Sequence, residues 1–502
     1  MAETSPLLES TPARRNSFLT GNHLLRRDSL FSADEESLLD EVRKAEITSK
    51  TTIFHEMIIV AKSSSPVIVT SLLQNSFYLA SIASVGHIGK VPLAGVTLGS
   101  MTASITGFSF IMGLATCLDT LCSQAHGAGK YDLVGMHFLR CTVFTICFFI
   151  PIGIIWLFFS DQLLGIFIKN DELLEIASGY LKIVTLGVPG FILFECGKRY
   201  IQCQGVFHAG TYVLLVCAPL NILMNYAFVW EFGLGYIGAP LAVAINYWLM
   251  PLGLLIFIIF NQQYLKCWPS GIKFSDAFTN WGTMVELALP GLVMVEAEFI
   301  GFEVITLASS RLGTTELAAQ SILSSICSVV YQIPFSISIS TATRVANFIG
   351  ANLPNNGRKA AKASLCLGVV TGLINSVLIV SCGRFILKLF TSDEEVTDMV
   401  YKALHVMSVV TFADCLNETS AGGLKGLGLQ RIGGKITFFS YYALGIPCSF
   451  LFCFKFGMGI PGLWLGIALS LAMISFLQVY TVFYWSDWDE LVKEAERRNT
   501  IT

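Results

Sequence analysis

Charge is what this chain has least of. Only 13% of its 502 residues are Asp, Glu, Lys or Arg, about half the roughly 25% usual in soluble domains. With 54% hydrophobic residues and a mean hydropathy of +0.65, it cannot fold as one water-soluble core. Lys and Arg number 32 against 35 Asp and Glu, a formal charge of −3. No basic stripe of the kind that tracks a phosphate backbone is present, and nothing suggests nucleic-acid binding. None of the 14 cysteines belongs to a short-spaced pair resembling a zinc knuckle, and no secreted disulfide framework is visible. Cys117, Cys141, Cys147, Cys217, Cys327 and Cys453 lie in apolar stretches, where a thiol packs as a small hydrophobe. No cleavable signal is expected at the start of the chain. Its first fifty residues are polar, so the first membrane span is expected to direct insertion.

Apolar runs of roughly twenty residues, the length that crosses a bilayer as helix, are present instead. They fall near 60–84, 93–118, 137–159, 174–195, 209–230, 236–260, 284–309, 315–339, 363–390, 398–420, 434–454 and 460–485. The chain also repeats itself. At a constant offset of 224, Pro66 meets Pro290, Gly89 meets Gly313, Leu93-Ala94 meets Leu317-Ala318, and Gly233, Gly235 and Gly238 meet Gly457, Gly459 and Gly462. The expected fold is therefore an all-α integral membrane protein of twelve transmembrane helices in two pseudo-symmetric six-helix lobes. An even number of spans per half makes the repeats parallel, with their axis along the membrane normal. The expected division is a cytosolic N-terminal tail (1–54), an N-lobe (55–260), a linker (261–283), a C-lobe (284–485) and a cytosolic C-terminal tail (486–502). Short loops carry thirteen basic residues, from Lys130 to Lys435, on the side of the termini and six, from Lys90 to Lys455, on the other. That bias places both termini in the cytosol.

A duplicated, apolar chain of this kind reads as a secondary transporter with a site between its halves. No catalytic residues are assigned and no enzyme activity is expected. The sharpest local feature is the seventh span, with Glu296, Glu298 and Glu303 and no Lys or Arg beside them. Carboxylates at membrane depth are costly and mark ion or proton pathways. At 100° per residue Glu296 and Glu303 share a face while Glu298 lies well round the helix, so spacing does not select the acting pair. Asp414 adds an acid in the tenth span, and Glu418, one turn on, reads as interfacial. In the first half, Glu296 and Glu298 fall opposite Leu72 and Gln74, so the first span offers only the uncharged Gln74 and Asn75. The carboxylates thus concentrate in the C-terminal lobe. Asp119 reads as a turn residue, and Glu195 as a partner of Lys198 and Arg199 one turn away. Gln204, Tyr331 and Tyr441 are further candidates to line a cavity, aromatic faces being suited to organic cations.

The tail carries two acidic dileucine patterns, ending at Leu7-Leu8 and Leu38-Leu39, similar to those read by vesicle adaptors. Arg14-Arg-Asn-Ser17 and Arg26-Arg-Asp-Ser29 resemble basophilic kinase sites.

The segment Thr341-Ala-Thr-Arg344-Val-Ala-Asn347-Phe-Ile-Gly350-Ala351 is similar to the S-x-R-V-x-N-x-L-G-A signature of multidrug and toxic compound extrusion (MATE) transporters. Gly86-His87-Ile88-Gly89, Asp119-Thr120 with Gln124, and Arg199-Tyr-Ile-Gln202-Cys-Gln204 resemble its first-lobe motifs, and Gly422 to Gln430 its tenth-span exit. The family's eukaryotic branch has E-W-W-x-[FY]-E where this chain reads EFIGFE from Glu298 to Glu303. The resemblance covers about residues 55–485 and looks eukaryotic and fungal-like. It implies a V-shaped bundle and an antiporter that exchanges protons for organic cations or amphipathic metabolites. In it Glu298 and Glu303 occupy the seventh-span acidic pair and Asp414 the tenth-span acid; Glu296 has no counterpart, and Ser325 stands where animal members carry an acid. No metal or cofactor is implied beyond the proton gradient. Sodium coupling through the same carboxylates stays open, as does a lipid-intermediate flippase of related architecture. The expected setting is a monomer in a vacuolar or other endomembrane, with the plasma membrane as the alternative.

Overall fold

Most of the apolar runs become helices longer than the runs themselves. The computed structural model describes residues 51–166, 168–268, 271, 273–390 and 393–500; the tail positions Leu7, Leu8, Ser17, Ser29, Leu38 and Leu39 lie outside them. The spans are α1 (Ile53–Gly86), α2 (Lys90–Gly127), α3 (Tyr131–Phe158), α4 (Asp171–Thr185 with Val188–Gln202), α5 (Ala209–Glu231), α6 (Gly235–Phe260), α7 (Gly282–Ser309), α8 (Thr314–Gly350), α9 (Pro354–Phe390), α10 (Glu394–Leu427), α11 (Gln430–Lys455) and α12 (Ile460–Trp485). Ten of them are long and apolar enough to cross a bilayer without qualification, and α4 is a pair bent by 54°. The twelfth, α7, has the length, and four glutamates interrupt its apolar character. The face where α1 begins and α12 ends is called proximal below, and its opposite distal.

Local chemistry sets the helix ends. Thr52, Asn170 and Asp393 accept hydrogen bonds from the first-turn amides of α1, α4 and α10, satisfying donors that a helix start leaves orphaned. Gly428 ends α10 at φ +79°, a left-handed geometry that favours glycine. The α4 break falls just before Pro189, in the first turn of its second half, where the missing N–H ends the preceding ladder. A Cβ on Gly187 would lie 2.7 Å from Ala244 Cα, so only glycine lets the second half of α4 press its backbone on α6.

Two hydrophobic cores result. One runs through α1–α6 and includes Met284, Leu287, Ala288 and Leu292 of α7. The other begins at Ala297 of α7 and runs through α8–α12. Helix α7 therefore changes lobes along its length, just beyond Pro290, and Glu296 and Glu298 flank Ala297 where the second core begins. In the first core Trp156 is 1% exposed, lies over Gly107 and donates to Thr106 Oγ1 at 3.1 Å. Its replacement by alanine leaves a cavity lined by Phe149 and Phe108 and is expected to destabilise the protein by about 3–5 kcal/mol. Thermal melting of the detergent-solubilised protein checks this, with Trp156→Phe expected to lose less.

Among the described residues, the hydrogen bonds joining the lobes all lie near the proximal face. Thr120 Oγ1 donates to the Lys425 carbonyl (2.6 Å), Gln124 Nε2 to that of Gly426 (3.2 Å), Gln430 Nε2 to Thr120 (2.6 Å) and Asn347 Nδ2 to the Cys203 carbonyl (3.3 Å). The distal half of α2 instead packs inside its own lobe, with Gly95 against Ile176 and Gly99 against Tyr180. The halves are thus joined at the proximal end.

The linker holds two short 3-10 turns, Gln262–Cys267 and Phe274–Phe278. It is fastened to the N-lobe by Tyr200 Oη, donating to the Tyr264 carbonyl at 2.8 Å, and by Arg140 Nε, donating to that of Asp276 at 3.2 Å. The C-terminal segment expected as a tail is helix α13 (Trp488–Arg498), capped by Asp487, with Trp488, Leu491, Val492 and Ala495 buried on one face. That spacing is a helical stripe too short and too charged to stand out beside the membrane runs.

Candidate functional site

Four helices bring their polar side chains together inside the C-lobe. Glu298 comes from α7, Asp414 and Glu418 from α10, Tyr331 from α8 and Tyr441 from α11. The three carboxylates are 9%, 4% and 5% exposed, and Tyr441 is fully buried. Tyr331 Oη donates to Glu418 Oε1 at 3.4 Å. Glu298 lies in the field of Asp414, Glu418 and the Lys425 ammonium, and Asn417 flanks Asp414. Asp414 Oδ1, Glu418 Oε2 and Tyr441 Oη are buried without a hydrogen-bond partner. Buried polar atoms are ordinarily paired, and these three are not. Tyr441 reaches the group because Gly301 gives way. A Cβ there would lie 2.9 Å from the Tyr441 ring.

The remaining candidate acids lie elsewhere. Glu296 turns toward Ser109 of α2 and Tyr442 of α11; Ser109 approaches it without closing a hydrogen bond, and both carboxyl oxygens are buried and unpaired. Glu303 is partly buried, with no charged group among the described residues facing it. It stands five residues, roughly 7–8 Å, nearer the distal face than Glu298.

The N-lobe counterpart is charge-balanced. Arg199 pairs with Asp119 at 3.2 Å and with Glu195 at 3.0 Å, and Lys198 pairs with Glu195 at 2.7 Å. Gln74 joins the same group, donating to Glu195 Oε1 at 3.1 Å and accepting from Lys198 Nζ at 3.2 Å. Asp119 is therefore an inner ion-pair partner, beyond the turn role that its sequence position indicates. Asn75 is exposed, and Gln204 donates to the Tyr200 carbonyl at the proximal end of α4, far along the chain from the acid group. Lys425 is buried in the fields of both Glu298 and Asp119, between the two networks.

Sequence reading missed Glu418 and Lys425 as members of this group. Glu418 follows Asp414 at i,i+4, which puts both on one helix face; that spacing was the available signal. Lys425 is contributed by the end of α10, and only the packing of that end against α2 reveals it.

Twelve helices in paired lobes with a buried acidic group at depth are the architecture of a secondary transporter. The MatE family pattern matches the chain twice, at residues 66–227 and 290–451, two matches separated by the repeat offset of 224. The chain belongs to the MatE family of transporters. It is 38% identical over 465 residues to "Uncharacterized transporter YDR338C" of Saccharomyces cerevisiae, covering 92% of this chain and 66% of that protein, slightly under two thirds of its length. It is 34% identical over 439 residues to Protein DETOXIFICATION 16 of Arabidopsis thaliana, covering 87% of this chain and 89% of that one. Among solved structures, the eukaryotic MATE transporter AtDTX14 superposes with a TM-score of 0.83 at 26% identity, covering 89% of this chain and all of the other. The family, its eukaryotic branch and the twelve-helix fold expected from sequence agree with these findings.

Proposed function

We propose that the chain is a proton-coupled antiporter that moves organic cations or amphipathic metabolites by alternating access, with Glu298, Asp414 and Glu418 as the site where proton and cargo compete. The observation that carries this reading is the charge imbalance of the C-lobe group: three buried carboxylates lie together, with Lys425 toward the proximal end of α10 as the cation whose field reaches Glu298. Desolvation and mutual repulsion penalise that arrangement when all three are ionised, and either a proton or a cationic ligand relieves it. Tyr331 and Tyr441 add aromatic faces beside the charge, as a cation site uses. Glu303, nearer the distal face, is placed to pass protons inward. Cargo then binds the deprotonated group, and a proton arriving from the distal side displaces it. The two ligands bias the lobes in opposite directions only by their differential affinity for the two states.

The basic-loop bias supports both termini in the cytosol. An acidic vacuolar or other endomembrane lumen on the distal side would supply the proton, with the plasma membrane as the other setting. The tail's dileucine and kinase-like patterns fit adaptor-mediated sorting and phosphorylation. The acidic sign of the intramembrane charge disfavours a pyrophosphate-lipid flippase.

Proteoliposomes loaded with a fluorescent lipophilic cation test the coupling. An inwardly directed proton gradient is expected to drive cation efflux from correctly oriented protein, and a sodium gradient at symmetric pH is expected to drive none. Sodium-driven efflux without a pH gradient overturns proton coupling. Absence of either, with protein that melts cooperatively, overturns the antiporter reading.

A further inference from the structure

The family signature contains an arginine, Arg344, that the acid site does not use. Its guanidinium forms a two-pronged ion pair with Glu56 at the start of α1, Nε to Oε2 at 2.9 Å and Nη2 to Oε1 at 3.1 Å. Glu56 is completely buried while Arg344 is 23% exposed. Thr51 Oγ1 donates to Glu56 Oε1 at 2.7 Å, the Lys359 ammonium of α9 holds the Thr51 carbonyl at 2.9 Å, and the Arg344 guanidinium lies 4.4 Å over the Phe348 ring. Glu56 belongs to the N-lobe and Arg344 to the C-lobe, so the pair crosses the proximal seam.

The repeat isolates what is unusual here. At the offset of 224, Arg344 corresponds to Thr120 and Glu56 to Asn280. The symmetry-related position pair, Thr120 and Asn280, therefore carries no charge, and Thr120 instead makes neutral hydrogen bonds to the Lys425 carbonyl and Gln430. The proximal face is thus held by neutral bonds at Thr120 and by a bidentate charge pair at Glu56 and Arg344 that the repeat does not duplicate. Charge-assisted forks are stronger and more demanding of geometry than neutral bonds, and separating one strands a buried carboxylate.

We propose that Glu56 and Arg344 are the lock of the proximal gate: positioning residues whose pairing holds the lobes together on that face and whose separation is a step of each transport cycle. The proposal rests on the chain being an alternating-access transporter and is independent of which ion or cargo the acid group takes.

The test uses full-length protein in proteoliposomes, with the exposed Cys366 and Cys382 replaced by serine and a reporter thiol introduced as Thr120→Cys, at a separate inter-lobe contact of the proximal face. Labelling by a membrane-impermeant maleimide from the proximal side reads the open fraction. Glu56→Gln and Arg344→Gln are each expected to raise the labelling rate about tenfold, the loss of roughly 1.4 kcal/mol of seam energy. The reversal Arg344→Glu is expected to raise it further, and the double exchange Glu56→Arg with Arg344→Glu to bring it back within about threefold of the starting protein, on the coupling expected of touching charges. Since a fold defect alone would not be repaired by exchange, restored labelling separates a lock from a merely structural pair. Unchanged labelling in both single variants with cooperative melting overturns the proposal, and so does a double exchange that labels as fast as Arg344→Glu.

Discussion

Glu298→Gln is expected to reduce proton-driven cation transport by about 100-fold, near the top of the usual range of coupling free energies between sites, about 3 kcal/mol. Glutamine keeps the volume and the hydrogen-bonding reach of the side chain and removes its capacity to carry charge. The group around it then holds Asp414 and Glu418, and its surplus of negative charge falls by one. Both ligands lose by that change, since each is attracted by the surplus. Asp414→Asn is expected to act the same way, its unpaired Oδ1 being replaced by a group that no longer attracts a cation. Glu303→Gln provides the contrast. The family resemblance puts Glu303 in the seventh-span acidic pair, and on that reading its loss is expected to abolish transport. In the structure it stands apart from the acid group, so its removal is expected to slow proton entry and leave a measurable fraction of activity, a tenth or more on the order-of-magnitude difference between perturbing a path and removing a site. Initial rates in proteoliposomes at matched protein content decide between them. A Glu303→Gln protein as inactive as Glu298→Gln would place the two carboxylates in one functional unit despite their separation.

The fold was largely legible because bilayer spanning leaves its mark in apolar length, which does not depend on contacts. The repeat offset and the twelve runs follow from residues read in order. The site was legible only in part. Wheel geometry separates Glu298 from Glu296 and Glu303 but has no means of choosing between the faces, because the choice depends on what packs there. Helix α7 lies in the N-lobe core as far as Leu292 and in the C-lobe core from Ala297, so its surroundings change within the stretch that carries the acids. Glu418 reads as interfacial by its distance from the helix end and is buried because α8 covers it with Tyr331. Helix α13 escaped notice for the opposite reason. Its stripe is real, but charged flanks mask it, and its partner surface comes from distant segments: Arg498 donates to Gln124 of α2 at 3.3 Å, and the Lys130 ammonium donates to the Asn499 carbonyl at 2.9 Å.

A second large effect is expected where the seam consists of backbone. Near the proximal ends of α2 and α8, two glycines face each other's helices reciprocally. A Cβ on Gly350 would overlap the Gln124 carbonyl, and one on Gly127 would overlap that of Asn347. Neither glycine has a positive φ, so what the positions require is space for close helix approach rather than conformational freedom. A carbonyl is part of a hydrogen-bonded helix and has no rotamer by which to step aside. Gly350→Val must therefore push the helices apart, and the polar bonds that depend on their distance, Gln124 to Gly426 and Asn347 to Cys203, lengthen together. Overpacking of this kind ordinarily costs about 1–3 kcal/mol. If the proximal seam opens in every cycle, the molecule has a state in which the valine fits, and the cost falls on one side of the equilibrium. Transport is then expected to fall to background, proximal labelling of a seam thiol to become fast, and melting temperature to change little. If the seam is a fixed contact, the same valine instead lowers the melting temperature and leaves the thiol protected. Gly179→Ala is the matched control, because its added Cβ meets no atom within 4 Å and alanine favours helix, so unchanged transport and labelling are expected there.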